Sequence, residues 1–170
     1  MACSKIFSGD LPELTRIHLI KNIQQNLNYL SIKCSEFKNK QKAYDIKLSS
    51  IILQNLGQIF PYRLEYLSLA LKFNIYDLQI FLNNSQNIFI KKLIIKNKLY
   101  PDCENILPCI KEYIMKEKRV SYLAMDTTKK LEDLFELKDE VKEFKFYSIQ
   151  VMFYDNLYIN FRDLMNELLY

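Results

Sequence analysis

The chain has 170 residues, of which 49% are apolar and 26% charged, and we expect one soluble domain over residues 1–170. It holds only two glycines and one histidine, which argues against glycine-rich phosphate-binding loops and histidine-based catalysis. It has no apolar run of about 18 residues, and its opening MACSKIFSGD lacks the apolar core of a secretory signal. We therefore expect no membrane span and an intracellular location, cytoplasmic or nuclear.

An apolar phrase recurs five times along the chain, reading apolar-x-x-apolar-x-apolar each time. The copies are NLNYLSIKC, RLEYLSLAL, FIKKLIIKN, RVSYLAMDT and EVKEFKFYS, near residues 27–34, 64–71, 90–97, 120–127 and 141–148. The alternation that closes each phrase is typical of a half-buried strand. The sequence therefore predicts five short parallel strands at these places.

Between the phrases, the apolar residues recur at the spacing of a helix. Leu48, Ile52 and Leu56 share one helical face after the first phrase, and Leu78, Phe81 and Leu82 do so after the second. A strand followed by a helix at intervals of this order is the unit of a leucine-rich repeat. We predict an α/β solenoid of about five such units, with strands on the concave face and helices on the convex face. A helical domain and another α/β fold remain alternatives.

The repeat pattern usually continues to an Asn or Cys that ties neighbouring loops together. Five residues after the central apolar residue, the five phrases have Ser35, Lys72, Lys98, Thr128 and Ile149. Cys34 and Asn97 lie one residue earlier than the expected place. This ladder of side chains is therefore either absent or displaced.

On the predicted concave face, tyrosine occupies the same position in three phrases, at Tyr29, Tyr66 and Tyr122. Tyrosine supplies large, partly polar contact area at binding hot spots. We predict a partner-binding surface made of Tyr29, Tyr66, Tyr122, Lys33, Lys96, Asp126 and Tyr147. The Tyr66 hydroxyl should reach solvent while Leu67 beside it is buried. The alternative is that tyrosine simply suits strands.

No pattern of catalytic or metal-ligating residues is evident. His18 has no partner at a suitable spacing, and Cys3, Cys34, Cys103 and Cys109 form no CxxC pair. We therefore predict no catalytic residues, no metal site, no cofactor and no enzymatic activity.

The amino-acid sequence of several stretches resembles that of a known family. LPELTRIHLIKNIQQNLNYLSIKCSEF, LGQIFPYRLEYLSLALKF, ILPCIKEYIMKEKRVSYLA and LKDEVKEFKFYSIQV are similar to the C-terminal regions of fungal F-box/leucine-rich-repeat proteins. In that family the repeats capture a protein substrate, and the F-box recruits a Skp1-type subunit of a ubiquitin ligase. The resemblance implies the substrate-recognition part of a ubiquitin-ligase adaptor, with an unknown protein partner. No F-box is evident here, so Skp1-type binding is expected only if the natural chain has an F-box region elsewhere.

The charge distribution leaves a second interpretation open. Residues 1–100 hold 14 basic and 6 acidic residues, a net of +8, whereas residues 101–170 hold 10 and 14, a net of −4. Clustered lysines favour nucleic acid because phosphate contacts release counterions. A basic nucleic-acid-binding domain in the Lys-rich half is therefore the alternative function.

Overall fold

A computed structural model describes residues 3–8, 27–34, 42–99, 105–115, 119–126 and 133–159. Its centre is one sheet of six strands, all parallel, whose spatial order follows the chain. The strands are β1 (Cys3–Ser8), β2 (Leu27–Lys33), β3 (Arg63–Leu71), β4 (Phe89–Asn97), β5 (Val120–Asp126) and β6 (Gln150–Val151). Parallel neighbours need a crossover connection, and helical segments supply several of these.

The helical segments alternate with the strands, so the predicted α/β class is confirmed. They are α1 (Lys42–Ile59), α2 (Ile75–Asn84), α3 (Leu107–Ile110) continuing as a π-helical turn (Lys111–Met115), a 3-10 turn (Leu134–Glu136), α4 (Lys138–Phe146) and α5 (Tyr154–Leu157). Buried residues from α1 to α4 pack on one side of the sheet. The short α5 packs on the other side. Within the described residues, no helix is long and apolar enough to cross a membrane.

The main core is a ladder of equivalent apolar residues. Leu30, Leu67, Leu93, Leu123 and Val151 pair in succession from β2 to β6, and each is at most 4% exposed. Burying one such side chain contributes about 1.5–3 kcal/mol. The in-register ladder confirms the strands predicted in the first four phrases.

The prediction of a fifth strand near residues 141–148 is wrong. Those residues lie in α4 and the turn that follows it. Val141 and Phe144 are three apart, which suits a helical face as well as the opening of the repeat phrase. Asp139 and Glu140 occupy the first turn of α4, where their negative charges interact favourably with the positive end of the helix dipole. The last strand is instead β6, and β1 was not predicted.

Two features fix how α1 and α2 pack. Asn74 caps α2 by accepting the backbone N–H of Asp77, and the buried Asp77 carboxylate accepts from Ser50 at 2.6 Å. A Cβ on Gly57 would lie 2.8 Å from the Asn84 Cβ and from the Phe81 carbonyl oxygen. Only glycine therefore permits this close approach of the two helices.

Asn97, which lies one residue earlier than the expected position of the loop-tying residue, does connect two neighbouring loops. Asn97 is 8% exposed, and its Nδ2 donates to the Phe73 carbonyl at 2.8 Å. Its Oδ1 accepts the backbone N–H groups of Leu99 at 3.0 Å and Phe73 at 3.4 Å. One side chain thus ties the loop after β4 to the loop after β3.

Candidate interaction surface on the strand face

The side of the sheet opposite α1 to α4, here called the strand face, carries three rows of equivalent side chains. The pairing register gives Tyr29–Tyr66–Lys92–Tyr122–Gln150, then Ser31–Ser68–Ile94–Ala124, then Lys33–Ala70–Lys96–Asp126. In β2 to β5 the rows contain six of the predicted binding residues, namely Tyr29, Tyr66, Tyr122, Lys33, Lys96 and Asp126. They do not include Tyr147, because that residue lies in the turn after α4.

Tyr66 does not reach solvent, and the expectation that it would is wrong. It is 0% exposed and belongs to a second, smaller cluster with Ile94, Ala124 and Leu157. Its hydroxyl accepts the backbone N–H of Ile159 at 3.1 Å. Burial raises the pKa of the Tyr66 phenol, although the bond from Ile159 opposes this shift. Tyr66 is therefore a core residue, although it lies on the strand face.

The cover over Tyr66 is a segment of the same chain, residues 152–159, here called the strap. It leaves the sheet where the Met152 N–H donates to the Leu123 carbonyl at 2.9 Å. The Tyr154 N–H then donates to the Asp133 carboxylate at 2.6 Å. The single turn of α5 places Leu157, 5% exposed, in the second cluster.

Aromatic contacts add to the docking of the strap. The Lys96 ammonium lies 4.9 Å from the centre of the Tyr154 ring, which is within the range of a cation–π interaction. Tyr154 also stacks on Tyr158, with ring centres 5.7 Å apart. Lys96, predicted as a partner contact, therefore already has an aromatic partner inside the chain.

The row nearest the start of the strands stays partly accessible. Tyr29, Lys92 and Tyr122 are half-buried, and Gln150 is exposed. Tyr29 stacks against Tyr66 with ring centres 6.3 Å apart. These four equivalent positions, Tyr29, Lys92, Tyr122 and Gln150, are here called the rim.

Of the other predicted binding residues, Lys33 and Asp126 belong to the third row of the strand face, whereas Tyr147 does not. Lys33 is exposed at the end of β2, while the neighbouring Ser31 and Ala70 are buried. Asp126 pairs with Lys96 through the backbone, and its side chain lies outside the described residues. Tyr147 is 38% exposed but lies off the strand face. The backbone register thus places on one side of the sheet the predicted residues Tyr29, Tyr66, Tyr122, Lys33, Lys96 and Asp126, and Tyr147 lies outside it.

Several lysines of the basic half have local acceptors. Lys72 pairs with Asp45 at 2.7 Å, Lys91 with Glu65 at 3.0 Å, and Lys98 donates to the Cys34 carbonyl at 3.3 Å. Charge that is neutralised within the chain is less available to phosphates. The nucleic-acid alternative stays a prediction, and these contacts do not favour it.

The described thiols are poorly suited to nucleophilic chemistry. Cys109 is 3% exposed, and burial raises the pKa of its thiol to about 11, with a smaller contribution from Glu112. Burial also raises the pKa of Cys34. Because the thiolate is the reactive form, both groups are held protonated at neutral pH. The part of the chain that the structure describes contains no group of three metal-ligating side chains; Cys3, His18 and Cys103 have no described side chains.

Comparisons of the chain with protein-family models, with curated proteins and with solved structures find no match.

Proposed function

We propose that the chain is a non-catalytic protein-interaction module with a leucine-rich-repeat-like solenoid architecture. The function corresponds to the substrate-recognition part of an F-box/leucine-rich-repeat ubiquitin-ligase adaptor. Its partner is a protein, and the rim on the strand face makes the first contact.

Three features support the solenoid part of the proposal. The strands follow one another in chain order, each pairing only with its sequence neighbours. Equivalent residues of successive phrases lie side by side in register. Asn97 bridges two successive loops, as the ladder residue of such repeats does. Stacked strand–helix units of this kind characteristically present their strand face to a partner.

The rim carries the proposal of binding. It repeats a large or polar side chain on β2, β4, β5 and β6, and each of these side chains remains at least partly exposed, although the equivalent Tyr66 on β3 is buried. Partly exposed tyrosines supported by a buried aromatic lose little side-chain freedom on binding, which favours their use as hot spots.

A capture experiment with matched variants tests the rim. The full chain, its Tyr29→Ala/Tyr122→Ala double variant and its Tyr76→Ala variant are each immobilised and exposed to an extract of the source organism. Retained proteins are identified by quantitative mass spectrometry. Tyr76 is the control, because it is 64% exposed but lies on α2, in the helical layer.

We expect at least one protein to be retained by the wild type and the Tyr76 variant, and to fall by tenfold or more with the double variant. Equal retention by all three folded proteins would contradict binding through the rim. We also expect no direct retention of a Skp1-type subunit, since residues 1–170 contain no evident F-box phrase. Its retention by purified chain would show that this expectation is wrong.

A further inference from the structure

The strap makes the kind of contacts that a bound peptide makes in a groove. It offers one helical turn with Tyr154 and Leu157 three residues apart, followed by Tyr158. Leu157 enters the cluster of Tyr66, Ile94 and Ala124, while Tyr154 lies under the Lys96 ammonium. A short helix that places apolar residues at i and i+3 or i+4 into an apolar groove is a recurring mode of peptide recognition.

We propose that the strap is an intramolecular pseudo-ligand of the strand face, and that the partner contributes a one-turn helical segment of the pattern aromatic-x-x-Leu-aromatic. Such a segment replaces the strap over Tyr66. This inference rests on the proposed function for the choice of surface, and it adds the chemistry of the ligand.

The strand-face groups available to such a segment set its chemistry. Ile94 and Ala124 leave room for an aliphatic side chain and give it no hydrogen-bonding group. The Lys96 ammonium attracts the electron-rich face of an aromatic ring. The Tyr66 hydroxyl accepts one backbone N–H at the end of the segment. A peptide with an acidic or small residue in the Leu157 position would leave the apolar cluster unfilled.

The strap has one main apolar anchor, since Leu157 is the only buried residue among residues 152–159. Its described backbone bonds to distant residues run from Met152, Tyr154 and Ile159 to Leu123, Asp133 and Tyr66, and the Phe153 ring lies 4.1 Å from that of Phe135. Because the strap is covalently attached close to the sheet, its effective concentration is roughly millimolar. A free copy of the same peptide must therefore compete poorly with the intact strap and well with a weakened one.

The test uses a fluorescently labelled peptide with the sequence VMFYDNLYIN, corresponding to residues 151–160, and full-length chains. Fluorescence anisotropy gives its Kd for the wild type and for the Leu157→Asp, Leu157→Ala and Asn156→Ala variants. These substitutions change the strap and leave the strand face intact. Asn156 is the matched control, since its side chain is exposed beside the buried Leu157. A peptide with Asp in the Leu157 position serves as the control ligand.

We expect the peptide to bind the Leu157→Asp chain at least tenfold more tightly than the wild type, with Leu157→Ala between them and Asn156→Ala like the wild type. The Asp-containing peptide should not bind any of the chains. If Leu157→Asp does not fold, as judged by circular dichroism, the Leu157→Ala and Asn156→Ala pair still provides the comparison. Equal affinity for all folded chains, or no binding to the Leu157 variants, overturns the proposal.

The outcome is separable from that of the capture experiment. Peptide binding that depends on Leu157 supports the strap as a pseudo-ligand even if the rim variants retain every protein. Loss of capture with the rim variants supports the proposed function even if the peptide does not bind.

Discussion

Leu67 and Tyr66 are neighbours in β3, both are 0% exposed, and they lie on opposite faces of one sheet. Leu67 is buried by helices α1 to α4, within a cluster of more than thirty buried residues. Tyr66 shares a cluster of four buried residues, one of which comes from the strap. Equal burial thus has two different origins. The helical layer is part of the fold, whereas the strap is a short segment that can leave without dismantling the sheet.

The difference matters because the exposed fraction of a residue does not tell how firmly it is covered. Regions that open locally have few buried apolar contacts and can open at a small fraction of the global free energy of unfolding. The strand face has that character, and the helical face does not. Substitutions on the two faces should therefore differ both in cost and in the part of the chain they affect.

The largest effect should come from the helical face. Leu67→Ala leaves a cavity beneath the helices and should lower the free energy of unfolding by about 2–5 kcal/mol. Tyr66→Ala should cost less globally, because the strap can detach rather than leave a void. Urea denaturation measures both costs, and hydrogen exchange at the Tyr154 amide, which donates to Asp133, reports detachment. An equal global cost for both substitutions, with the Tyr154 amide still protected, would show that the strap is as integral as the helices.

Removing the Asn97 side chain, which connects two loops, should have the next largest effect on the free energy of unfolding. Asn97→Ala leaves the N–H and C=O of Phe73 and the N–H of Leu99 without their side-chain partner, and should cost about 2–3 kcal/mol. Asn55→Ala is the control, since Asn55 bonds only to the Ile51 carbonyl within its own helix among the bonds described for it. Urea denaturation of both variants should show a clearly smaller loss for Asn55→Ala.

Stability should also fall at alkaline pH through Cys109. The folded pKa is raised to about 11 from 9.0, so the folded state holds its proton more tightly than the unfolded state. The stabilisation is therefore fully present below pH 9 and is lost as pH rises through about 11, a change on the order of 1–2 kcal/mol. Urea denaturation at pH 8 and pH 10.5 should show a smaller fall for Cys109→Ala than for the wild type. An identical fall in the two proteins would mean that Cys109 does not contribute.

The smallest effect should come from Tyr66→Phe. The ring and its packing remain, and the hydroxyl that accepts the Ile159 N–H is lost, so we expect a change of about 0.5–1.5 kcal/mol. Faster hydrogen exchange should be confined to the strap. Faster exchange in α1 or α2 would contradict the separation of the two faces.

The sequence predicted the helical face well because the repeated phrase places Leu30, Leu67, Leu93 and Leu123 at one position of each strand. It failed at Phe144, since spacing by three residues fits a helix as well as the repeat phrase, and local charge in α4 decided between them. It also predicted which face Tyr66 is on. It could not predict what covers that face, because alternation describes one strand, whereas Leu157 and Ile159 reach Tyr66 from some 90 residues away.

That long reach changes how the sheet can be expected to unfold. Strands that pair only with their sequence neighbours form a linear array, in which a terminal unit can fray without cost to the middle. The bond between Ile159 and Tyr66 joins residues 93 positions apart and so links the last described unit directly to β3. With the strap docked, fraying at β6 must also break contacts in the centre of the sheet. Docking of the strap therefore makes the unfolding of the C-terminal units cooperative with that of β3. Release of the strap allows the C-terminal units to unfold independently.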